Sequence, residues 1–277
     1  MNFIDDVLSG RIELPTVPRV VERLLTLMRR PDAALHELVS ELEQDPVMSS
    51  RVLRLANSSY FGGRRTAASL GDAVGMVGSR TLQTLVVACG AQAAFAQVPA
   101  VNLRHFWLAS TLTASLARML ARQTGVNADD AYGAGLLQGI GHLILCQCHP
   151  RQAIEGFPSV RPLWGEPLAR LEHKLFGVSH PMVSAVWADK LGMPQPVVVA
   201  IAQSLQRNDG RVTDVRMIRT LQVAASMAAG AALGESLEQT LSGVNMELVD
   251  TLGLGAYLAS PAAETDFGDL QASPALA

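Results

Sequence analysis

The amino-acid sequence predicts an all-α protein. Apolar residues recur at three- and four-residue spacing over most of its 277 positions. Glycine, proline and short polar residues stand where helices would start and stop. No alternating period-2 stretch of useful length argues for a strand. Hydrophobic residues make up 49% and charged residues 17%, enough apolar surface for a large core and for an interface besides. Self-association as a homodimer is therefore expected. A net charge of −3 and a pI near 6.1 argue against general nucleic-acid affinity, while leaving room for a local basic patch.

The elements follow in order. Pro18 opens a helix with Val20, Val21, Leu24, Leu27 and Met28 on one face. Asp32 is read as the cap of the next, whose stripe is Leu35, Leu38, Val39 and Leu42. "DP" at 45–46 supplies a cap and a proline at the first helical position, with Val47, Val52, Leu55 and Ala56 inward. "NSSYFGGRR" (57–65) reads as a loop. Ser69 caps "LGDAVGMV"; Gly78 stops it, and Ser79 caps the longer "RTLQTLVVACGAQAAF".

"AQVPAVN" (96–102), with Pro99 and a capping Asn102, marks the internal boundary. It divides a five-helix subdomain (1–98) from a second helical subdomain (99–259), and residues 260–277 are expected to be a disordered tail. In the second subdomain, 103–123 ends at Gly125, and 128–150 reads as one helix ended by Pro150. Further helices run to Gly177, from Ser179 to Gly192, from Pro196, over 214–233, and as one or two short pieces in 236–258.

Several classes of chemistry are excluded. Three cysteines, Cys89, Cys146 and Cys148, form no CxxC pair and no disulfide framework, which fits a reducing cytoplasm. "MNFIDDVLSG" does not read as a signal peptide, and no uncharged run reaches the roughly 20 residues of a membrane span. There is no GxxxxGK[ST] phosphate loop, no GxGxxG after a strand and no GxSxG elbow. No cofactor is expected.

Three constellations remain. His142, Cys146 and His149, spaced i, i+4, i+7, share a helix face with Gln138 one turn earlier, and imidazole and thiolate are plausible zinc or iron donors. The simpler reading makes Cys146 a buried hydrophobe and His149 a cation at a helix C-terminus. Arg51, Arg54, Arg64 and Arg65 form a basic cluster that could hold an anion or an acidic partner, or could be a solvated face. "AVGMVGSRTLQTLV" (73–86) has helix–turn–helix form, but only Arg80 and Gln83 could read bases, so an ordinary corner is expected.

"LPTVPRVVERLLTLMRRPDAALHELVSELEQDPVMSSRVLRLANSSYFG" (14–62) resembles the opening of an HDOD domain, by its "LPTVP", its helix-opening "DP" and its "LRLANSSYFG" in that order. The resemblance continues through "SLGDAVGMVGSRTLQTLVV" (69–87) and over helices like those of the HD superfamily, to about residue 230. The HD superfamily comprises metal-dependent phosphohydrolases, whose clustered histidines and aspartates hold metals that generate hydroxide and clamp a phosphate. Set against that pattern, "LLQGIG" places Gln138 at the histidine and Gly139 at the aspartate. The earlier histidine falls on Ala109 and the late aspartate on Ser226; a later His pair is replaced by Gln203 and Ser204. Only His180 is kept. The resemblance thus implies a non-catalytic, metal-free bacterial signalling module that acts through contacts with other signalling proteins. Its alternatives are a phosphohydrolase rebuilt on His142, Cys146, His149 and His180, or a nucleotide sensor using the vestigial cleft. With no receiver, kinase or cyclase segment in the chain, its input is expected in trans.

Overall fold

A computed structural model describes residues 3–9, 11–30, 32–57, 66–157, 165–205 and 215–272. These contain no strand. The helices are α1 (Phe3–Leu8), α2 (Arg19–Met28), α3 (Leu35–Glu43), α4 (Pro46–Ala56), α5 (Leu70–Ala94), α6 (Leu103–Thr124), α7 (Ala128–Leu137), α8 (Ile140–Cys148), α9 (Pro150–Gly156) and α10 (Gly165–Phe176). Then come α11 (His180–Lys190), α12 (Gln195–Ala202), α13 (Val215–Ala232), α14 (Leu237–Ser242), α15 (Met246–Thr251), α16 (Gly255–Leu258) and α17 (Pro261–Ala272).

Short polar side chains set several of the starts. Asp45 Oδ1 accepts the Val47 and Met48 N–H groups at 2.9 Å each, satisfying donors that α4 cannot pair internally. Ser69 and Asp72 close a capping box on α5, as Ser236 and Gln239 do on α14. Asn102 and Asn127 cap α6 and α7. Gly78, at φ 75°, breaks α5 where the sequence placed a stop.

Four expectations are corrected, and one helix was not expected. Asp32 does not cap α3: it lies two residues before the N-cap, Ala34, and pairs with Arg30 at 3.2 Å. The helix expected over 128–150 is broken at Gln138–Gly139 into α7 and α8, and Pro150 starts α9. Three short helices, not one or two, occupy 237–258. Residues 261–272, expected to be disordered, form α17, because Ala263 and Phe267 give it an apolar face to bury against the α6 side of the core. Gln271 ties its end to the carbonyls of Ala231 and Glu235, at 3.3 and 2.9 Å. Finally, α1 was not anticipated; Phe3 and Val7 bury it.

One continuous core runs from Phe3 to Phe267. The N-terminal helices join the rest through α5. Arg80 pairs with Asp130 at 2.8 Å, and Gln83 donates to the Gly192 carbonyl at 2.9 Å. Trp187 Nε1 reaches back to the Pro15 carbonyl at 3.3 Å. Both side chains that might have read bases thus bond within the molecule, Arg80 from an exposed position, and 73–86 packs as a corner. Along α7, a Cβ on Gly135 would lie 2.7 Å from the Ala114 Cα, so glycine here lets α6 and α7 pack backbone to backbone.

Candidate functional site

The break between α7 and α8 is held from outside by α11. The Ser184 hydroxyl donates to the Gln138 carbonyl at 2.6 Å and accepts the Gly141 N–H at 2.7 Å. One hydroxyl therefore satisfies an acceptor and a donor that the interrupted helix leaves unpaired. Gly141 is required for this approach, since a Cβ there would sit 2.2 Å from the His180 carbonyl.

The break opens onto a cleft of about 500 Å³. Ala109, Gln138, Gly139, His180 and Ser226 all line it, as does Ser204. Residues scattered over three helices and two turns thus converge where the resemblance placed a metal-dependent active site. The donor set does not fit a metal. A methyl group, an amide, a glycine and a hydroxyl stand at the expected ligand positions, and amides and hydroxyls are weak substitutes for imidazole and carboxylate. The space beyond Gly139 is also filled: a Cβ there would meet the Phe106 ring at 3.0 Å. Among the described residues no group of three or more His, Cys, Asp and Glu is arranged to hold a metal ion.

What the cleft wall does carry is a buried carboxylate shared by two imidazoles. Gly177, at φ 74°, turns the chain from α10 into α11 and brings the start of α11 onto Glu172. Glu172 Oε1 lies 2.8 Å from His142 Nδ1. Its Oε2 lies 2.6 Å from His180 Nδ1 and accepts the His180 N–H at 2.7 Å. That last bond satisfies a free N–H at the start of α11, where the side chain of the N-cap residue, Ser179, makes no capping bond. Burial opposes the charge of Glu172, but the His180 charge and the hydrogen bonds from both imidazoles prevail and hold its pKa down to about 2. Glu172 was not singled out in the sequence, because a glutamate in "RLEHKLF" looks like part of a solvated face.

The other candidates scatter. Cys146 is buried against His142, its thiol pushed up to about 12 by burial and by the Glu172 charge, so it is a poor ligand. His149 leaves this face altogether. It stacks on Phe176 (centroids 5.4 Å apart, 20° between planes) and lies 5.7 Å from Phe3. Burial lowers its pKa, which corrects the expectation of a helix-terminal cation. Arg51 is half-buried and reaches the Cys89 carbonyl at 3.3 Å, while Arg54 is exposed. Arg64 and Arg65 lie outside the described residues.

The HDOD domain profile matches residues 14–206, and the chain belongs to the HDOD domain family. The match ends short of α13, so Ser226 lies beyond it. An uncharacterized protein of Treponema pallidum (strain Nichols) is 28% identical over 190 residues, which are 67% of this chain and 37% of that protein. The chain thus spans little more than a third of that relative's length.

Among solved structures, a candidate phosphohydrolase from Shewanella amazonensis SB2B superposes with a TM-score of 0.71 at 24% identity, covering 98% of each chain. An HDOD domain protein of unknown function from Geobacter sulfurreducens gives 0.62 at 21% identity, covering 96% of each. A candidate signal transduction protein from Marinobacter aquaeolei VT8 gives 0.64 at 24%, covering 95% of this chain and 58% of that one. At these identities the likeness establishes the fold, an HD-like all-helical one.

Proposed function

We propose that this chain is a regulatory HDOD module that transmits a signal through contacts with other signalling proteins and does not hydrolyse phosphoesters. One observation carries the reading. The five positions where a metal-dependent hydrolase would hold its ligands converge on one cleft, four of them have exchanged their donors for groups that bind metal poorly, and the Phe106 ring packs against Gly139. Membership of the HDOD family supports the regulatory part, as does the fold shared with the Marinobacter protein named for signal transduction. The rearranged hydrolase is disfavoured because His149 stacks on Phe176 and packs beside Phe3, and does not join a metal-holding group among the described residues.

The test is metal analysis of the purified full chain, together with turnover assays on cyclic and linear phosphodiesters in the presence of divalent metals. The expected result is sub-stoichiometric metal and no turnover. Stoichiometric metal with turnover, abolished by His142→Ala, would restore the hydrolase. The homodimer is checked separately by light scattering.

A further inference from the structure

We propose that the cleft binds a small uncharged ring with an amide edge, a lactam, read by the side-chain amide of Gln138. This goes beyond the regulatory reading, for it gives the vestigial cleft a ligand. Gln138 ends α7 at the helix break, and its backbone is fixed there by the Ser184 hydroxyl, 2.6 Å from its carbonyl. It lines the cleft. Its Oε1 and Nε2 bond no described residue, and neither atom is sealed from solvent. A side-chain amide offers a donor beside an acceptor. Its complement is an acceptor beside a donor at the same spacing, and two parallel hydrogen bonds then form, as when glutamine reads the edge of a base. The N–H and C=O of a lactam meet that requirement.

Ser110, on α6, is a second and independent sign of an occupant. It lines the same cleft and is 6% exposed. Its neighbours Thr111 and Thr113 turn their hydroxyls back to the carbonyls of Trp107 and Ala109, both at 2.8 Å, a common bond for a hydroxyl within a helix. Ser110 makes no such bond to any described residue, yet its Oγ keeps accessible surface. A hydroxyl left open in a nearly buried residue calls for a partner. Both free groups, amide and hydroxyl, are uncharged and can donate or accept. The carboxylates nearby are already engaged: Glu172 by two imidazoles and a backbone N–H, and Glu166, which lines the cleft, by Arg170 at 3.0 Å. The Phe106 ring lies beside Gly139, the residue after Gln138, and Phe157 also lines the cleft, so aromatic surface is present for a planar ring. A volume of about 500 Å³ suits a small organic molecule.

The experiment is NMR titration of the full chain with 2-pyridone, a planar lactam. N-methyl-2-pyridone is the counterpart that keeps the ring and carbonyl but has no N–H, and benzoate and benzamidine are the charged counterparts. The readout is the side-chain NH₂ resonance of Gln138, assigned by its loss in Gln138→Leu. The expected result is a saturable shift with 2-pyridone. N-methyl-2-pyridone should bind more weakly by about tenfold or more, the loss expected when a pair of neutral hydrogen bonds is broken. Gln138→Leu should weaken 2-pyridone to the same extent in ligand-observed spectra, with a thermal melt to establish that the variant folds; the comparison of the two pyridones uses the parent chain and stands without it. The proposal is overturned if 2-pyridone does not saturate, if its N-methyl form binds as well, if benzoate or benzamidine binds more tightly, or if folded Gln138→Leu binds as the parent does. Phosphoester turnover in the metal assay would overturn the regulatory reading and leave this result standing, so the two fail separately.

Discussion

Two buried carboxylates, Glu172 and Asp130, do different work in this molecule. Glu172 sits behind the cleft with three donors around it, two imidazoles and a backbone N–H. Asp130 sits where α5 meets α7 and has one side-chain partner, Arg80, whose side chain is 56% exposed while that of Asp130 is 6% exposed. Their charges respond oppositely. Burial pushes the Asp130 pKa up, and Arg80 only partly offsets it. At Glu172 burial pushes the same way, but its enclosing partners reverse the outcome. Burial alone therefore does not say whether a carboxylate is at ease in a fold; the number and enclosure of its partners decide.

The largest expected effect is at Glu172. Glu172→Ala leaves two imidazoles and a helix N–H unpaired, and urea denaturation at neutral pH should register a loss of about 3–5 kcal/mol. The pH dependence has a definite sign. Folding lowers this pKa from 4.5 to about 2, so the ionised carboxylate stabilises the fold above 4.5, and that contribution fades as pH falls towards 2. The stability gap between the parent chain and Glu172→Gln should narrow over that range. A gap independent of pH would mean that Glu172 acts by packing alone.

Gly141→Ala comes next. Its Cβ would collide with the His180 carbonyl at 2.2 Å, and backbone cannot yield as a side chain can. A loss of about 1–3 kcal/mol is expected from forced separation of α8 and α11. A loss no larger than that of a surface Gly→Ala substitution would show that α8 slides freely over α11.

The smallest effect belongs to the other carboxylate. Arg80→Ala should cost about 0.2–1 kcal/mol, since its guanidinium is largely solvated. Asp130→Asn should reverse the pH trend seen at Glu172. Folding raises the Asp130 pKa above 3.8, so its ionised form weakens the fold, and acidification through the raised value relieves this. The parent chain should therefore gain on Asp130→Asn as pH falls. Equal trends at the two sites would erase the contrast between them.

Much of this was legible in the sequence because local chemistry carried it. Asp45, Ser69 and Asn102 cap the helices they were expected to cap, since a side-chain oxygen beside free N–H groups needs no distant partner. Gly78 and Gly177 end segments for an equally local reason, positive φ. Misreadings arose where a distant segment intervened. The single helix expected over 128–150 is broken because Ser184, more than forty positions along the chain, satisfies both sides of the interruption. The C-terminal segment looked too polar and small to fold, yet two side chains of α17, Ala263 and Phe267, find the core.

For the cleft, the sequence by itself determined what is missing: Ala109, Gln138, Gly139 and Ser226 have no metal-binding donors of the expected kind, and no folding can supply them. It also determined the all-α class, since helix periodicity and capping are properties of neighbouring residues. Only the tertiary structure decided what stands there instead. His142 and Glu172 are 30 residues apart, and His180 is eight further on. Their meeting depends on the α10–α11 turn and on the glycine contact between α8 and α11, neither of which is encoded in the spacing of the three residues. A carboxylate's charge state follows from who surrounds it, and that is a fact of packing.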